Sequence, residues 1–198
     1  MQDFLRRRVD QFIGHSSGTD CGHLDIERPS FVRQRLRQGH YPVLGGAVDS
    51  SPRPGLHTGY AGHGSSAHYG VGLFNDRHGA DRYGSTGPFY NGGVAWDHSV
   101  SLMIDAGVES DRYAFAQTTG LGKADYSGWG LFIDEGGDDQ YQVKEGFGQS
   151  SEHGLGGFFD LNGQDTYKLL HDVSTPDSHR PTDGKVTLYP DGGLFVDR

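Results

Sequence analysis

Short apolar segments that end in aspartate recur along the chain. Six copies align on that aspartate: Gly-Gly-Ala-Val-Asp49, Gly-Leu-Phe-Asn-Asp76, Leu-Met-Ile-Asp105, Gly-Leu-Phe-Ile-Asp134, Gly-Gly-Phe-Phe-Asp160 and Gly-Leu-Phe-Val-Asp197. Successive aspartates lie 27, 29, 29, 26 and 37 residues apart. A near-constant period of this length indicates a stacked repeat architecture, in which each unit buries its apolar side only against its neighbours.

A turn element follows four of these segments. It reads Asp-x-x-Gly-x-Asp-x-Tyr, with one extra residue in the copy that begins at Asp105. The apolar segment predicts a strand and the aspartate-glycine element predicts a sharp turn, because glycine supplies left-handed backbone and aspartate hydrogen-bonds its own turn. Stacking then predicts a column of segment-ending aspartates beside a column of tyrosines: Tyr83, Tyr113, Tyr141 and Tyr167.

We therefore predict an all-β fold, a single parallel β-solenoid over residues 45–198. We expect about six coils with a period of 26–29 residues and a right-handed coil. Coils that stack at about 4.8 Å make a rod roughly 30 Å long. Residues 1–44 are predicted to form a short mixed or helical N-terminal cap. Two apolar sets at helical spacing predict one or two short helices there: Leu5, Val9, Phe12 and Ile13, and then Phe31, Val32 and Leu36.

The C-terminal part contains one long interval and an incomplete repeat. Residues 168–187 include Pro176 and Pro181 and are predicted to form a loop outside the stack. After Asp197 the expected Gly-x-Asp-x-Tyr does not follow. Since an unpaired strand edge readily pairs with another chain, this predicts end-to-end self-association through an uncapped last coil.

Composition supports this fold and excludes several classes of protein. The chain has 33 Gly, and its 21 Asp far outnumber its 5 Glu and 4 Lys, which is unsuitable for a helical bundle. No apolar run approaches the roughly 20 residues of a membrane span. The net charge is −9, and the excess of acidic residues lies in residues 45–198. Nucleic acid is therefore not an expected partner. Cys21 alone forms no internal disulfide, and the first residues lack the apolar run of a signal peptide.

The segment Gly136-Gly137-Asp138-Asp139-Gln140-Tyr141 resembles the turns of RTX-type calcium β-rolls. In that family, aspartate carboxylates and turn carbonyls of successive coils bind calcium, which relieves the repulsion between stacked carboxylates. The resemblance implies calcium as a cofactor, an extracellular or cell-envelope setting, and these ligands: Asp76, Asp81, Asp105, Asp111, Asp134, Asp139, Asp160 and Asp165. RTX turns recur every nine residues or so, so purely structural turn formation is the alternative role for these aspartates.

The complete pattern over residues 45–198 resembles glycine- and aspartate-rich bacterial repeat proteins of uncharacterised function. That resemblance implies a parallel β-solenoid and no particular activity. The short element Gly62-His63-Gly64 also matches one motif of polygalacturonases, but the other motifs of those enzymes are missing or out of order.

A second group of candidate residues comes from the position eight residues before each anchor aspartate and its neighbour. Coils in register bring these side chains toward one rim: His68, Asp97, His98, Glu152 and His153. Imidazoles with carboxylates bind transition metals or act as general acids and bases, and nearby aromatic rings suit a sugar. The alternative is an ordinary solvent-exposed face.

Two functions follow. The first is a non-enzymatic structural or binding module, stabilised by calcium in one version, which presents a solenoid face to a protein or glycan. The alternative is a carbohydrate-active β-helix enzyme, a lyase or hydrolase, that uses the His/Asp/Glu rim.

Overall fold

A computed structural model of the chain describes residues 13–15, 23–26, 44–48, 56–59, 62–85, 90–170 and 180–198. In these ranges the chain forms seventeen strands and no helix. The strands make three sheets whose neighbours come from successive turns of the chain, and all pairs but one are parallel. The predicted all-β parallel solenoid is confirmed.

The largest sheet, sheet A, has eight strands and carries the apolar segments found in the sequence. Its strands in spatial order are β1 (Ile13–His15), β3 (Leu44–Val48), β6 (Val71–Asp76), β9 (Val100–Asp105), β12 (Trp129–Asp134), β14 (Leu155–Asp160), β17 (Leu194–Asp197) and β16 (Val186–Leu188). The anchor aspartates pair in register from Asp76 to Asp197. The predicted aspartate column is therefore present.

Two further sheets complete the coil. Sheet B consists of β15 (Thr166–Leu169), β13 (Gln140–Gly146), β10 (Arg112–Gly120), β7 (Arg82–Ser85), β4 (Leu56–Gly59) and β2 (His23–Ile26). Sheet C is short and consists of β11 (Ala124–Asp125), β8 (Ala95–Trp96) and β5 (Ser66–Ala67). The four predicted tyrosines pair in register along sheet B.

The number of complete coils is smaller than the six expected. Within the described ranges, three successive turns place a strand in all three sheets, beginning with β5, β8 and β11. The next turn meets sheet C only through a bridge between Ala124 and Ser150. The count from the sequence was based on the segments of sheet A alone. Sheet A has strands in more coils than sheet C, whose strands are only two residues long.

The described parts of the N-terminal segment join the solenoid. β1 pairs with β3 and β2 pairs with β4, both in parallel. Ile13, which the sequence grouped with a helix, begins a strand. The other residues of the predicted helical sets lie outside the described residues.

The C-terminal edge of sheet A is occupied by a strand that the sequence assigned to a loop. β16 runs antiparallel to β17 and pairs Val186 with Val196 and Leu188 with Leu194. The predicted loop over 168–187 therefore overlaps a strand at both ends. It includes Lys168 and Leu169 of β15 and Val186 and Thr187 of β16. Residues 171–179 of that loop lie outside the described residues.

The core between the sheets is largely aromatic. Sheet A contributes one inward row of fully buried side chains: Phe74, Met103, Phe132, Phe158 and Phe195. These side chains meet the tyrosine column of sheet B edge-on, as in the contact between Phe132 and Tyr113 with ring centroids 5.2 Å apart. Edge-to-face contacts of this kind add to the burial of apolar area, so each coil is held to the next by both rings and backbone.

A column of glycines allows the coils to approach at one corner. Gly64, Gly93, Gly122 and Gly148 all have φ near +74°, with values of 75°, 73°, 75° and 73°. A Cβ on Gly122 would overlap the carbonyl oxygen of Gly157 in the next coil, and the other three glycines face equivalent carbonyls. Glycine is needed here for space as well as for backbone conformation.

We expect Gly122→Ala to destabilise the fold much more than Gly184→Ala. Gly184 also has a positive φ of 70°, but nothing lies within 4 Å of its added Cβ. The control therefore measures the left-handed backbone cost alone, about 1 to 2 kcal/mol. Urea unfolding followed by circular dichroism gives both free energies. Equal losses in the two variants would show that the close carbonyl approach is not a constraint.

Candidate functional site

A continuous ladder of alternating aspartate and tyrosine side chains runs along the interior. It forms where each strand of sheet A turns into sheet B, because the anchor aspartate ends one strand and the tyrosine lies near the start of the next. We call this the Asp–Tyr ladder, and its members in order are Asp76, Tyr83, Asp105, Tyr113, Asp134, Tyr141, Asp160, Tyr167 and Asp197. The five aspartates are each at most 2% exposed.

Each tyrosine hydroxyl lies between the Oδ2 atoms of two successive anchor aspartates. For Tyr113 the distances are 2.7 Å to Asp105 and 2.7 Å to Asp134. Over the whole ladder these eight distances range from 2.6 to 3.0 Å. The tyrosine rings stack on one another with centroids 4.7, 4.8 and 5.0 Å apart. Ring spacing and strand spacing therefore coincide.

The number of close oxygen contacts exceeds the number of tyrosine protons. Four hydroxyls donate four hydrogen bonds, whereas the ladder has eight contacts at hydrogen-bond distance. The other four contacts are hydrogen bonds only when aspartate oxygens carry the proton. A fully hydrogen-bonded ladder thus contains neutral carboxyl groups.

Burial favours the same protonation. Burial is the largest cause that raises the pKa of Asp105. Burial, together with the charges of neighbouring aspartates, raises the pKa of Asp134 well above its usual value. Burial likewise raises the pKa of Asp160. The hydrogen bonds from tyrosines oppose this effect but do not cancel it.

The turn aspartates form a second column beside the ladder. The backbone N–H of Asp111 donates to Asp139 Oδ1 at 2.6 Å, and that of Asp139 donates to Asp165 Oδ1 at 2.7 Å. The N–H of Asp81 makes the same bond to Asp111, and the N–H of Asp165 donates to Asp183 Oδ1 at 2.8 Å. Burial raises the pKa of Asp111 to about 9, that of Asp139 to about 7 and that of Asp165 to about 8.

The eight aspartates named as calcium ligands therefore lie in two columns, as stacking requires. In the N-terminal coils their oxygens accept hydrogen bonds from tyrosines and from turn N–H groups. Asp105 Oδ1 accepts from Gly107 and Asp134 Oδ1 accepts from Gly136, which are the structural turns given as the alternative role. At the C-terminal end two groups of three carboxylates converge: Asp139, Asp160 and Asp165, and then Asp165, Asp183 and Asp197.

The structure brings three of the predicted rim residues together. One carboxylate oxygen of Asp97 accepts a hydrogen bond from His68 Nδ1 at 2.9 Å, and the other accepts one from His98 Nδ1 at 3.0 Å. These hydrogen bonds lower the pKa of Asp97, with His98 the larger cause. His68 contacts the Trp96 ring edge-on, and His98 stacks on Tyr69.

Glu152 and His153 do not join this group. Glu152 interacts with its neighbouring coil through its backbone carbonyl, which accepts the N–H of Ser127, and both side chains are exposed. All these rim positions have left-handed backbone, with φ of 48° at Glu152 and 64° at His153. Two successive left-handed residues make a tight corner in each coil, and this turn determines where the rim side chains lie.

The rim cluster lies on an open surface. The side chains of His68 and His98 are 57% and 53% exposed, and that of Asp97 is 25% exposed. General acid–base catalysis gains from a site that excludes water and holds the substrate. The His68–Asp97–His98 contacts provide a hydrogen-bonded cluster without that enclosure.

The outer side of sheet A is largely apolar across six strands. We call it the apolar face; its outward side chains are one polar residue, Asn75, and these apolar ones: Val71, Leu73, Val100, Leu102, Ile104, Trp129, Leu131, Ile133, Leu155, Phe159, Val186, Leu188, Leu194 and Val196. Several of them are strongly exposed, with Trp129 at 59% and Leu188 at 72%. Sequence reasoning treated these segments as core and missed this face.

The sequence did carry a signal for the apolar face. A strand with one wetted side alternates apolar and polar residues, whereas a strand covered on both sides reads as a continuous apolar run. The segments Leu-Met-Ile and Leu-Phe-Ile before Asp105 and Asp134 are of the continuous type. Such runs are typical of strands that are covered on both sides.

Comparison with protein families, curated proteins and solved structures found no match for this chain. In the described ranges, no helix has the length and apolar character needed to cross a membrane. The features of this chain that bear on its function are therefore the ladder, the rim cluster of His68, Asp97 and His98, and the apolar face.

We expect Tyr113→Phe to destabilise the protein by about 2 to 4 kcal/mol, because it leaves two buried aspartates each short of a hydrogen bond. Tyr126→Phe is the matched control, since Tyr126 is 49% exposed on the rim. Urea unfolding gives both free energies. A loss for Tyr113→Phe no larger than that for Tyr126→Phe would contradict a stabilising role for the ladder.

The two aspartate columns also predict the direction of the pH dependence. A buried carboxyl whose folded pKa is raised binds its proton more tightly in the folded chain. Its contribution is complete below the unfolded pKa of about 3.9 and is lost as pH rises through the folded pKa. With Asp111 raised to about 9, we expect the free energy of unfolding in chelator to fall from about pH 4 toward about pH 9.

Asp105→Asn tests the origin of that slope. Asparagine keeps the Oδ1 acceptor for Gly107 and never ionises in this range. We expect a shallower decline of the free energy of unfolding with pH than in the original chain. Identical slopes would show that Asp105 does not hold a proton in the folded state.

Proposed function

We propose that this chain is a non-enzymatic structural and binding module, and that its apolar face packs against the apolar face of a second copy. The single observation that carries the proposal is the apolar face itself. The described outward positions on strands β6, β9, β12, β14, β16 and β17 carry no charged side chain.

Charge restricts where a second copy can dock. The chain has a net charge of −9, so two copies repel one another wherever their acidic surfaces meet. The uncharged apolar face is a surface that two copies can join without bringing like charges together. A second copy also supplies a face of the same shape, as a two-fold symmetric dimer requires.

Geometry and size suit a sheet-on-sheet contact of modest strength. Six strands spaced about 4.8 Å apart and six residues spaced about 3.3 Å apart span roughly 24 Å by 16 Å, a footprint on the order of 400 Å². Two such faces bury about 800 Å², which is below the roughly 1,200 Å² of stable specific interfaces and within the range of weak, transient contacts. Face-to-face sheets pack about 10 Å apart. We therefore expect a reversible dimer that depends on concentration.

The two other partners are less well supported. Glycan recognition needs polar groups beside aromatic rings, and the apolar face offers Trp129 and Phe159 among mostly aliphatic side chains. The rim cluster has polar groups and rings, but His68 and His98 are largely solvated. A carbohydrate-active enzyme therefore has less to support it than a docking module.

The test is the mass of the chain in solution. We expect sedimentation velocity to show a rise from the monomer mass of 21.6 kDa toward twice that mass as concentration increases. The double variant Val100→Lys/Leu155→Lys places two charges beside Trp129 in register and should remain monomeric. Val108→Lys is the control, because Val108 is 75% exposed outside sheet A.

Trp129 emission provides a second readout. Burial of this ring in a dimer should shift its fluorescence to shorter wavelength with concentration in the original chain and in the control. A folded chain that stays monomeric at every concentration would overturn the second copy as occupant. Binding of an oligosaccharide that is lost in the double variant would favour the glycan instead.

A further inference from the structure

The C-terminal end of the two aspartate columns differs from the rest. Two groups of three carboxylates meet there and share Asp165, and within each group one oxygen per residue lies within 4.8 Å of the others. The five residues of this C-terminal acidic cluster are Asp139, Asp160, Asp165, Asp183 and Asp197.

Among the described residues, three buried oxygens of this cluster have no hydrogen-bond partner: Asp160 Oδ1, Asp165 Oδ2 and Asp197 Oδ1. One aspartate oxygen of an earlier coil, Asp111 Oδ2, is in the same state. Asp160 is 0% exposed, Asp197 2% and Asp165 7%. In earlier coils the equivalent Oδ1 atoms of Asp105 and Asp134 accept turn N–H groups. Buried polar atoms are nearly always paired, so unpaired oxygens that converge point to a missing ligand.

Among the residues that the structure describes, the cluster has no positively charged partner. The ion pairs in the described part of the chain involve Asp97, Asp125 and Glu145, and none reaches these five carboxylates. Several carboxylates this close and this buried do not all remain ionised without a counter-charge. Tyrosine hydroxyls separate the Oδ2 atoms of Asp160 and Asp197, but not the unpaired oxygens.

We infer that the C-terminal acidic cluster binds a divalent cation of the calcium type. All the side-chain ligands are oxygens, with no histidine or cysteine, which selects a hard cation. Magnesium usually keeps several waters and binds through one or two carboxylates, whereas calcium takes six to eight oxygen ligands. Three converging carboxylates in each group therefore favour calcium.

The cation would join three parts of the C-terminal end. Asp139 precedes β13, Asp160 and Asp165 flank the turn from β14 to β15, and Asp197 ends β17. Asp183 comes from the segment before β16 and already accepts the N–H of Asp165. Binding would therefore hold β16 and β17 onto the last coils. This inference is independent of the apolar face.

Calcium binding to the full chain is the test. Isothermal titration of chelator-treated protein at constant ionic strength should show saturable calcium binding, weaker binding of magnesium, and a rise in melting temperature with calcium, as expected for a ligand that binds the folded state. Absence of both heat and thermal shift in the original chain would overturn the inference. Equal affinity for magnesium would overturn the assignment to calcium.

Variants separate the site from general charge screening. Asp183→Asn keeps the Oδ1 acceptor for Asp165 at the surface and should lower calcium affinity at least about tenfold. Asp191→Asn removes the same charge from an exposed position in the turn between β16 and β17, at the other end of that hairpin from Asp197, and should leave the affinity unchanged. Asp165→Asn should reduce binding further, because both groups share Asp165. Equal binding by Asp183→Asn and Asp191→Asn would contradict the site.

Discussion

The shared hydrogen bonds between buried tyrosine hydroxyls and aspartate oxygens determine how the coils stack. Each hydroxyl touches two coils at once, so a tyrosine such as Tyr113 is in place only when Asp105 and Asp134 both are. A slip of one residue would turn every inward side chain of a strand outward. The ladder therefore fixes the register of sheets A and B together, and the aromatic core depends on that register.

The same constraint explains where the repeat tolerates variation. The interval between anchor aspartates rises to 37 residues before Asp197, and yet Tyr167 still bridges Asp160 and Asp197. The extra residues fall between β15 and β16 in the sequence. The glycine column at Gly122 and its equivalents sets a second fixed point, because the carbonyl of the next coil occupies the space of a side chain.

Sequence reasoning found the repeat, the two columns and the turns, because these depend on residues spaced regularly along the chain. It did not find the role of the aspartates: the sequence shows that Asp134 and Tyr141 recur together, but only distances show the hydroxyl between two carboxyl groups. It grouped Glu152 with His68, although only His68, Asp97 and His98 meet. The outward orientation of Leu131 and Ile133 was missed because a continuous apolar run does not show which side is buried.

The reversal of the chain at β16 has a consequence for the growth of such rods. Every other neighbour in sheet A runs parallel, so a coil can be duplicated anywhere between β6 and β14 and meet the same template on both sides. β16 presents the opposite polarity at its free edge. A duplicated coil of the usual kind would find no matching template there. Duplication of coils can therefore lengthen the rod in its middle, whereas a parallel coil added at the C-terminal edge would meet a strand of reversed polarity.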